Sequence, residues 1–410
     1  MSDTFKPMFK DLPAFGALQG IRILDCGSFI AVPWACTLAA ECGAEVIKVE
    51  NPNGDTMRSI VSMAKGKSPM PLYWAQDARC KLDMVLDYRA PEAKEIMAKL
   101  IERSDIWLES SIPGTFPDKF GITDEWILSV NPKIVVVHVS GYGQTGDPEY
   151  VHRGSYDMIG QAFSGFCDQN GFPDGPPMRT GPAINDYLTA VWVLWSMLAG
   201  YISAQRTGKG QVIDVAQYEC QFRMMETLAI DYYQFGIVKH RSGNEHPGGM
   251  QPYGIFPCKD GYVCFGATGP AFQRVKKVIP GLDVDKYSTI FDQHNYKDEI
   301  KDIVEDWLKD KTGEEAEKIL NAARVPACRI MDMPAIAENS QYAARDMLVE
   351  WDDPTCGHVK GVGLVPKFRG TPGRIWRGAP ELGMDTEEIM EALGYSKEEI
   401  KDLMKRDVIE

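Results

Sequence analysis

Two rhythms of apolar positions alternate through the first 140 residues. Short runs rich in Val, Ile and Leu, namely GIRILDC (20–26), AEVIKVE (44–50), DIWLES (105–110) and KIVVVHVS (133–140), read as buried strands. Between them, PWACTLAAECG (33–43) and the amphipathic APEAKEIMAKLIERS (90–104) carry helical spacing, the former stopped by Gly43. Strand and helix in turn predict an α/β fold with a mainly parallel sheet and helices on both faces.

Further along, the seventeen residues Leu188–Ala204 hold no charge. They fall short of the roughly 20 residues of a membrane span and include Thr, Ser and Gly, so the pattern predicts a helix buried in the α/β core. Two glycines in QRTGKGQ (205–211) then turn the chain into the strand signal VIDVAQYE (212–219). From about 226 to 335 the texture changes to aromatic-rich stretches, the Gly/Pro cluster GNEHPGGMQPYG (243–254), short strands such as GYVCFGATG (261–269) and one long charged helix, KDEIKDIVEDWLKDKTGEEAEKIL (297–320). This span predicts a smaller α+β domain at 226–335, leaving 1–225 and 336–410 as one discontinuous large domain. The tail adds a strand signal at VGLVPKF (362–368), the Pro/Gly-rich RGTPGRIWRGAPELG (369–383) and a helix at TEEIMEALGYSKEEIKDLMK (386–405).

Composition narrows the function classes. A chain of 410 residues with 44% hydrophobic and 25% charged positions has the make-up of a soluble globular protein with room for two domains. Its net charge of −14 repels phosphate backbones, which argues against nucleic acid as a partner; no membrane partner is expected either. The ten cysteines contain no CxxC and no zinc-type Cys/His spacing, and MSDTFKPMFKDLP lacks the apolar stretch of a signal peptide, so a reduced, cytoplasmic protein is expected.

Candidate chemistry is sparse. Asp186, at the lip of the apolar segment, reads either as the N-cap of the coming helix or as a reactive carboxylate; the positive end of the helix dipole favours its ionised form in both cases. GYGQTG (141–146) matches the GxGxxG of a dinucleotide loop, on which an NAD-dependent oxidoreductase would rest, but Pro148 follows where that loop should open a helix. A glycine-rich turn is the better reading. The histidines His138, His152, His240, His246, His294 and His358 are scattered without an i, i+4 pair, so no metal site is expected; His246, inside the Gly/Pro cluster, is placed to line a cleft.

Taken in order, GIRILD, AECGAEVIKVENPNGDTMR, HVSGYGQTG, SYDMIGQAFSG, NDYLTA, SAQRTGKGQVIDVAQYE, HPGGMQPYG, CKDGY and GLVPKF resemble the class III CoA-transferases, the family of formyl-CoA, carnitine and bile-acid CoA-transferases. The resemblance runs from about residue 14 to the C-terminus. It implies an interlocked homodimer with a large, discontinuous Rossmann-like domain and a small domain in each chain, and a transfer of CoA between carboxylic acids, with acyl-CoA as substrate and no permanently bound cofactor. The family's catalytic aspartate falls on Asp186, and Gly248 and Gly249 in PGGMQ match two glycines of a loop that covers it in formyl-CoA transferase, where Pro247 and Met250 replace two others.

For CoA, the resemblance points to Arg58, Arg79, Lys119 and Tyr156. Tyr156 also stands where the related α-methylacyl-CoA racemases have a histidine base, and a phenol with a pKa of about 10 is a poor base for an α-proton, so transferase is favoured over racemase. A histidine and a glutamine that contact CoA in formyl-CoA transferase are Ser28 and Ile30 here, against formate and oxalate chemistry. FRMMETLAIDYYQFG (222–236) is similar to the carnitine branch; GYGQTGDPEY (141–150) and EWDDPTCGHVKG (350–361) are similar to the bile-acid branch. Tyr73, Trp74, Tyr232 and Tyr233 are candidate faces for a trimethylammonium group. The reading therefore favours carnitine, γ-butyrobetaine or crotonobetaine over a steroid acid. A CoA-binding regulator, needing the cations but not Asp186, is the remaining alternative.

Overall fold

The computed structural model describes residues 5–63 and 65–410 and divides them into two compact units. The first unit, residues 1–164, 181–224 and 341–410, is built on a six-stranded parallel sheet: β1 (Arg22–Cys26), β2 (Glu45–Glu50), β3 (Leu82–Val85), β4 (Ile106–Glu109), β5 (Val135–Ser140) and β6 (Gln211–Ala216), in the order β3-β2-β1-β4-β5-β6. Every residue of β1 to β5 is buried, as apolar runs covered on both faces require. In the 135–137 stretch, Val136 joins one apolar cluster with Leu24, Ile47 and Ile96, while Val135 and Val137 join the other with Val32, Val193 and Met197. Alternate residues of one strand thus feed the two faces, which is the period of two expected of a pleat.

Charges inside this sheet are paired. Asp25 lies between two buried lysines, 2.8 Å from Lys81 and 3.7 Å from Lys48, and Lys48 also meets Asp55 at 2.9 Å. Buried cations of this kind persist only with such partners.

The apolar segment forms the helix Ile184–Thr207, long and apolar enough to cross a membrane, yet its Ala190, Val193 and Met197 are fully buried beside the sheet. Full burial of a side chain the size of Val or Met contributes about 1.5–3 kcal/mol. The approach is close because residue 200 is glycine: a Cβ there would stand 2.7 Å from Val135. The expectation of burial holds for one face only. Val191, Trp195 and Ile202, on another face, are exposed, Trp195 at 63%.

Several expected elements are broken by local signals. The charged helix is two, Lys297–Leu308 and Gly313–Ala322, because Thr312 and Glu315 form a reciprocal capping box that starts the second afresh. Ser396 and Glu399 do the same in the tail, splitting it into Thr386–Ala392 and Lys397–Lys405. VIDVAQYE leaves the sheet at Ala216, and Gln217 opens the helix Gln217–Phe222. VGLVPKF is not a strand beyond Val362, where the antiparallel pair β10 (Leu348–Asp353) and β11 (Gly357–Val362) ends.

The second unit, residues 165–180 and 225–340, has a three-stranded sheet of β7 (Tyr253–Cys258), β8 (Gly261–Gly266) and β9 (Ala327–Arg329), with Phe265, Phe272, Ile300, Val304 and Leu320 buried in its core. Residues 165–180 were expected in the large domain. They sit with the second unit because Arg241 binds Asp168 at 3.1 Å, Gln169 donates to the Lys239 carbonyl at 2.9 Å and Gly243 donates to the Gly171 carbonyl at 3.0 Å.

Candidate active site

Order β3-β2-β1-β4-β5-β6 reverses direction between β1 and β4, and open α/β sheets hold their ligands in the crevice beyond the strand ends at such a point. Two cavities lie there in the first unit. One, of about 540 Å³, is lined by residues at and beyond the ends of β1 and β2 and by residues following β3 and β4, including Lys48, Asn51, Tyr88 and Arg89. The other, of about 350 Å³, is lined by residues around the ends of β1, β4, β5 and β6, including Ser140, Arg153, Tyr156, Asp186 and Gln217. Ser28 and Ser111 line both.

Asp186 is the third residue of its helix and not the cap. The capping acceptor comes from elsewhere: the Asp157 carboxylate, at the start of the helix Asp157–Phe163, accepts from the backbone N–H of Asn185 at 2.8 Å and of Asp186 at 3.3 Å. Its approach is fixed by Gly160, where a Cβ would stand 2.0 Å from the Asn185 amide nitrogen. The Asn185 side chain is itself fully buried with no hydrogen-bond partner among the described residues.

With the cap supplied by another carboxylate, the charge on Asp186 is not simply stabilised. Burial and the neighbouring Asp157 charge push its pKa up to about 7, against the pull of one hydrogen bond from the Gln217 amide, 2.7 Å from Oδ1. This corrects the expectation that its surroundings favour the ionised form. Oδ2 has no hydrogen bond from the described residues and is the free oxygen of the pair. Across the cavity, Tyr156 is 65% exposed with its ring edge-to-face with Phe29 at 5.6 Å, and Phe29 has a φ of 64°, a conformation a bulky residue adopts only under constraint.

The expected CoA cations fare unevenly. Arg79 is not presented to a ligand: it is 4% exposed, its Nε lies 2.6 Å from Glu41, and its guanidinium packs over the Trp351 ring. Arg58 is committed to structure as well, 2.6 Å from Glu50 and 3.0 Å from Asp83, with its guanidinium 3.8 Å above the Trp74 ring. Trp74 is therefore buried beneath it, its indole N–H donating to the Pro380 carbonyl, and offers no face to a trimethylammonium group. Lys119 is exposed at the end of the turn Thr115–Lys119, whose Thr115 and Phe116 line the larger cavity. The exposed cation lining that cavity is one the sequence reading passed over, Arg89.

Tyr73 is half-exposed in the first unit, whereas Tyr232 and Tyr233 are exposed in the second and packed edge-to-face at 5.5 Å. Beside the Asp186 cavity a different set gathers: Tyr142, Tyr150, Phe163 and Tyr218, with centroids 5.0 Å apart for both Tyr142–Phe163 and Phe163–Tyr218. Gly248 and Gly249 belong to the second unit. There the Gly248 N–H donates to His246 Nδ1 at 2.9 Å, and a Cβ on Gly249 would stand 2.7 Å from His294. His246 and Gly249 line a cavity of about 580 Å³ in that unit.

GYGQTG is a turn, and the Gln144 N–H within it is taken by Asp214, a carboxylate unsuited to a pyrophosphate site. His138 is structural, held between Glu109 at 2.7 Å and Asp124 at 2.8 Å; burial alone would lower its pKa, but the two carboxylates carry it up to about 9. Among the described residues no group of three or more His, Cys, Asp or Glu side chains is placed to hold a metal ion.

Fold and site together define an α/β protein with a partly buried carboxylate facing the crevice of a parallel sheet. The chain belongs to CoA-transferase family III, whose sequence profile matches residues 18–386, and it is a CoA-transferase. It is 38% identical to the bile acid CoA-transferase BaiK of Clostridium scindens, over 97% of this chain and 91% of that protein. To the L-carnitine CoA-transferase of Proteus mirabilis it is 33% identical, over 96% and 97%. A CAIB/BAIF family protein from Brucella suis has the same fold, with a TM-score of 0.80 and 25% identity over 93% of this chain and all of that one.

Proposed function

We propose that Asp186 carries the CoA group covalently during transfer. The observation that bears most on this is a carboxylate with one oxygen tied to Gln217 and the other unbound, facing a cavity at the switch point of the sheet. Oδ2 attacks the carbonyl carbon of the donor thioester, forming a C–O bond as the C–S bond breaks; the products are a mixed anhydride and CoA thiolate. The thiolate then attacks Cγ of Asp186, giving an aspartyl-CoA thioester and releasing the donor acid. An acceptor carboxylate attacks the same Cγ, expelling the thiolate, which takes the new acyl group and restores the Asp186 carboxylate. No proton is gained or lost in the cycle, and a carboxylate suits it because its anhydride and its thioester lie close in energy.

An acyl group of the steroid-acid type is favoured over a betaine. Trp74 is withdrawn from the aromatic set proposed for a trimethylammonium, and Asp186 is the only carboxylate lining its cavity among the described residues. CoA itself is read along the larger cavity, with Arg89 and Lys119 as phosphate cations. The exposed Val191, Trp195 and Ile202 face supports a homodimer, a second copy burying it. The ten free cysteines fit a reducing, cytoplasmic setting.

The test is intact-protein mass spectrometry with hydroxylamine trapping, after incubation with choloyl-CoA, γ-butyrobetainyl-CoA and crotonobetainyl-CoA. The wild type is expected to form an adduct that maps to Asp186, with choloyl-CoA the productive donor; equal labelling of Asp186→Ala would overturn the reading.

A further inference from the structure

We propose that Arg153 receives the carboxylate of the acceptor acid, and so sets which acids can be loaded; the inference rests on Asp186 as the covalent carrier. The cavity that holds Asp186 is lined by hydroxyl, amide and apolar groups, and among the described residues its only charged side chains are Asp186 and Arg153. The two charges act at different stages. While Asp186 is an ionised carboxylate it repels a second carboxylate entering the cavity. Once it is an aspartyl thioester it is neutral, and Arg153 is then the charged side chain left among the described residues lining the cavity, attractive to an incoming anion. Donor before acceptor follows from that change of sign.

Arg153 is free enough to serve. It follows the short helix Pro148–Val151, and its guanidinium pairs with Glu149, four residues back, with both side chains largely exposed, 44% for Arg153. Its Nε also donates to the Glu149 carbonyl at 2.9 Å. Exposed pairs at this spacing are weak. Its guanidinium lies 4.2 Å from the centroid of the Tyr150 ring, which orients the plane without occupying the donors on its edge. A guanidinium edge takes a carboxylate through two parallel hydrogen bonds. Glu149, in this arrangement, is the internal carboxylate that the acceptor displaces.

The test separates the two half-reactions. Adduct formation is followed by mass spectrometry with the three acyl-CoA donors named above, and steady-state KM is measured for deoxycholate, γ-butyrobetaine and crotonobetaine as acceptors. Loss of charged hydrogen bonds of this type is expected to raise the acceptor KM of Arg153→Gln roughly 10- to 100-fold, far beyond any change in the rate of adduct formation. Arg153→Lys should recover part of the loss, and Glu149→Gln should lower the acceptor KM. A variant Arg153→Gln with unchanged acceptor KM, or with slowed adduct formation and unchanged acceptor KM, overturns the inference while leaving Asp186 in place. Failure of the wild type to label with any of the donors brings down the Asp186 reading and this inference together.

Discussion

Asp157 fastens the helix that carries Asp186 and at the same time lends it a negative neighbour: one carboxylate accepts both the Asn185 and the Asp186 backbone N–H. These two effects are separable. Asn at 157 keeps the acceptor oxygen and loses the charge. Burial would still hold the Asp186 pKa up, but without the Asp157 contribution it falls below the value of about 7. Since attack needs the ionised form, the acid limb of the rate of adduct formation in Asp157→Asn should move to lower pH. An unmoved limb in a pH–rate profile would mean that the two carboxylates do not communicate.

Gln217 acts in the opposite sense, because its amide hydrogen bond favours the ionised Asp186. Gln217→Leu should move the same limb to higher pH and slow adduct formation at pH 7 by about tenfold, the effect of one charge-assisted hydrogen bond. Single-turnover labelling across pH 6 to 9 reads both changes, where a merely structural defect would lower the plateau and leave the limb in place.

Asp186 should also reveal a conflict between stability and chemistry. Its pKa is raised in the folded protein from 3.8 to about 7, so the fold binds that proton more tightly than the unfolded chain does. Stability from this group is fully present below about pH 4 and is lost as pH rises through 7. Asp186→Asn, which cannot ionise, should therefore be inactive by about 10³-fold or more yet melt higher than the wild type at pH 8, with a gain on the order of 2 kcal/mol that vanishes near pH 4. Differential scanning calorimetry at the two pH values checks it.

Asp25 holds two buried cations, Lys81 at 2.8 Å and Lys48 at 3.7 Å. Asp25→Ala strands Lys81 and leaves Lys48 with Asp55 alone, and should cost about 3–5 kcal/mol, read as a lower urea midpoint. Asp25→Asn, which keeps an acceptor oxygen, should lose less.

Trp195 is the most exposed of the three apolar residues on the outer face of the 184–207 helix. Trp195→Asp should shift sedimentation velocity profiles toward monomer at micromolar protein and weaken the concentration dependence of the melting temperature that the dimer has. A wild type that sediments as a monomer would remove the dimer from the proposal.

The parallel sheet was legible because strands covered on both faces must be apolar, and runs such as VVV at 135–137 have few other uses. β3 escaped notice: Asp83 interrupts its four residues, and only the fold shows that carboxylate accepting from Arg58 and the Gly383 N–H. Asp186 was legible through the ordered motifs. Asp157 and Gln217, 29 and 31 residues away in sequence, were not, since nothing local marks either as its neighbour. Arg79 and Trp74 misled for a related reason. A cation or an indole in the sequence does not disclose whether Glu41 or Arg58 will claim it, and those partners are settled by packing.

The helix that carries Asp186 meets its surroundings at two points where nothing larger than a hydrogen atom fits, Gly160 against Asn185 and Gly200 against Val135. This sets unequal freedom to diverge. Residues such as Ser28, Ile112 and Arg153 line the cavity without holding the helix in place, so lineages can exchange them and acquire new acids while the carboxylate stays where it was. A methyl group at 160 or 200 would instead displace the carrier for every substrate at once. New specificities should therefore arise by change at the rim of the cavity, over a helix seat that stays invariant.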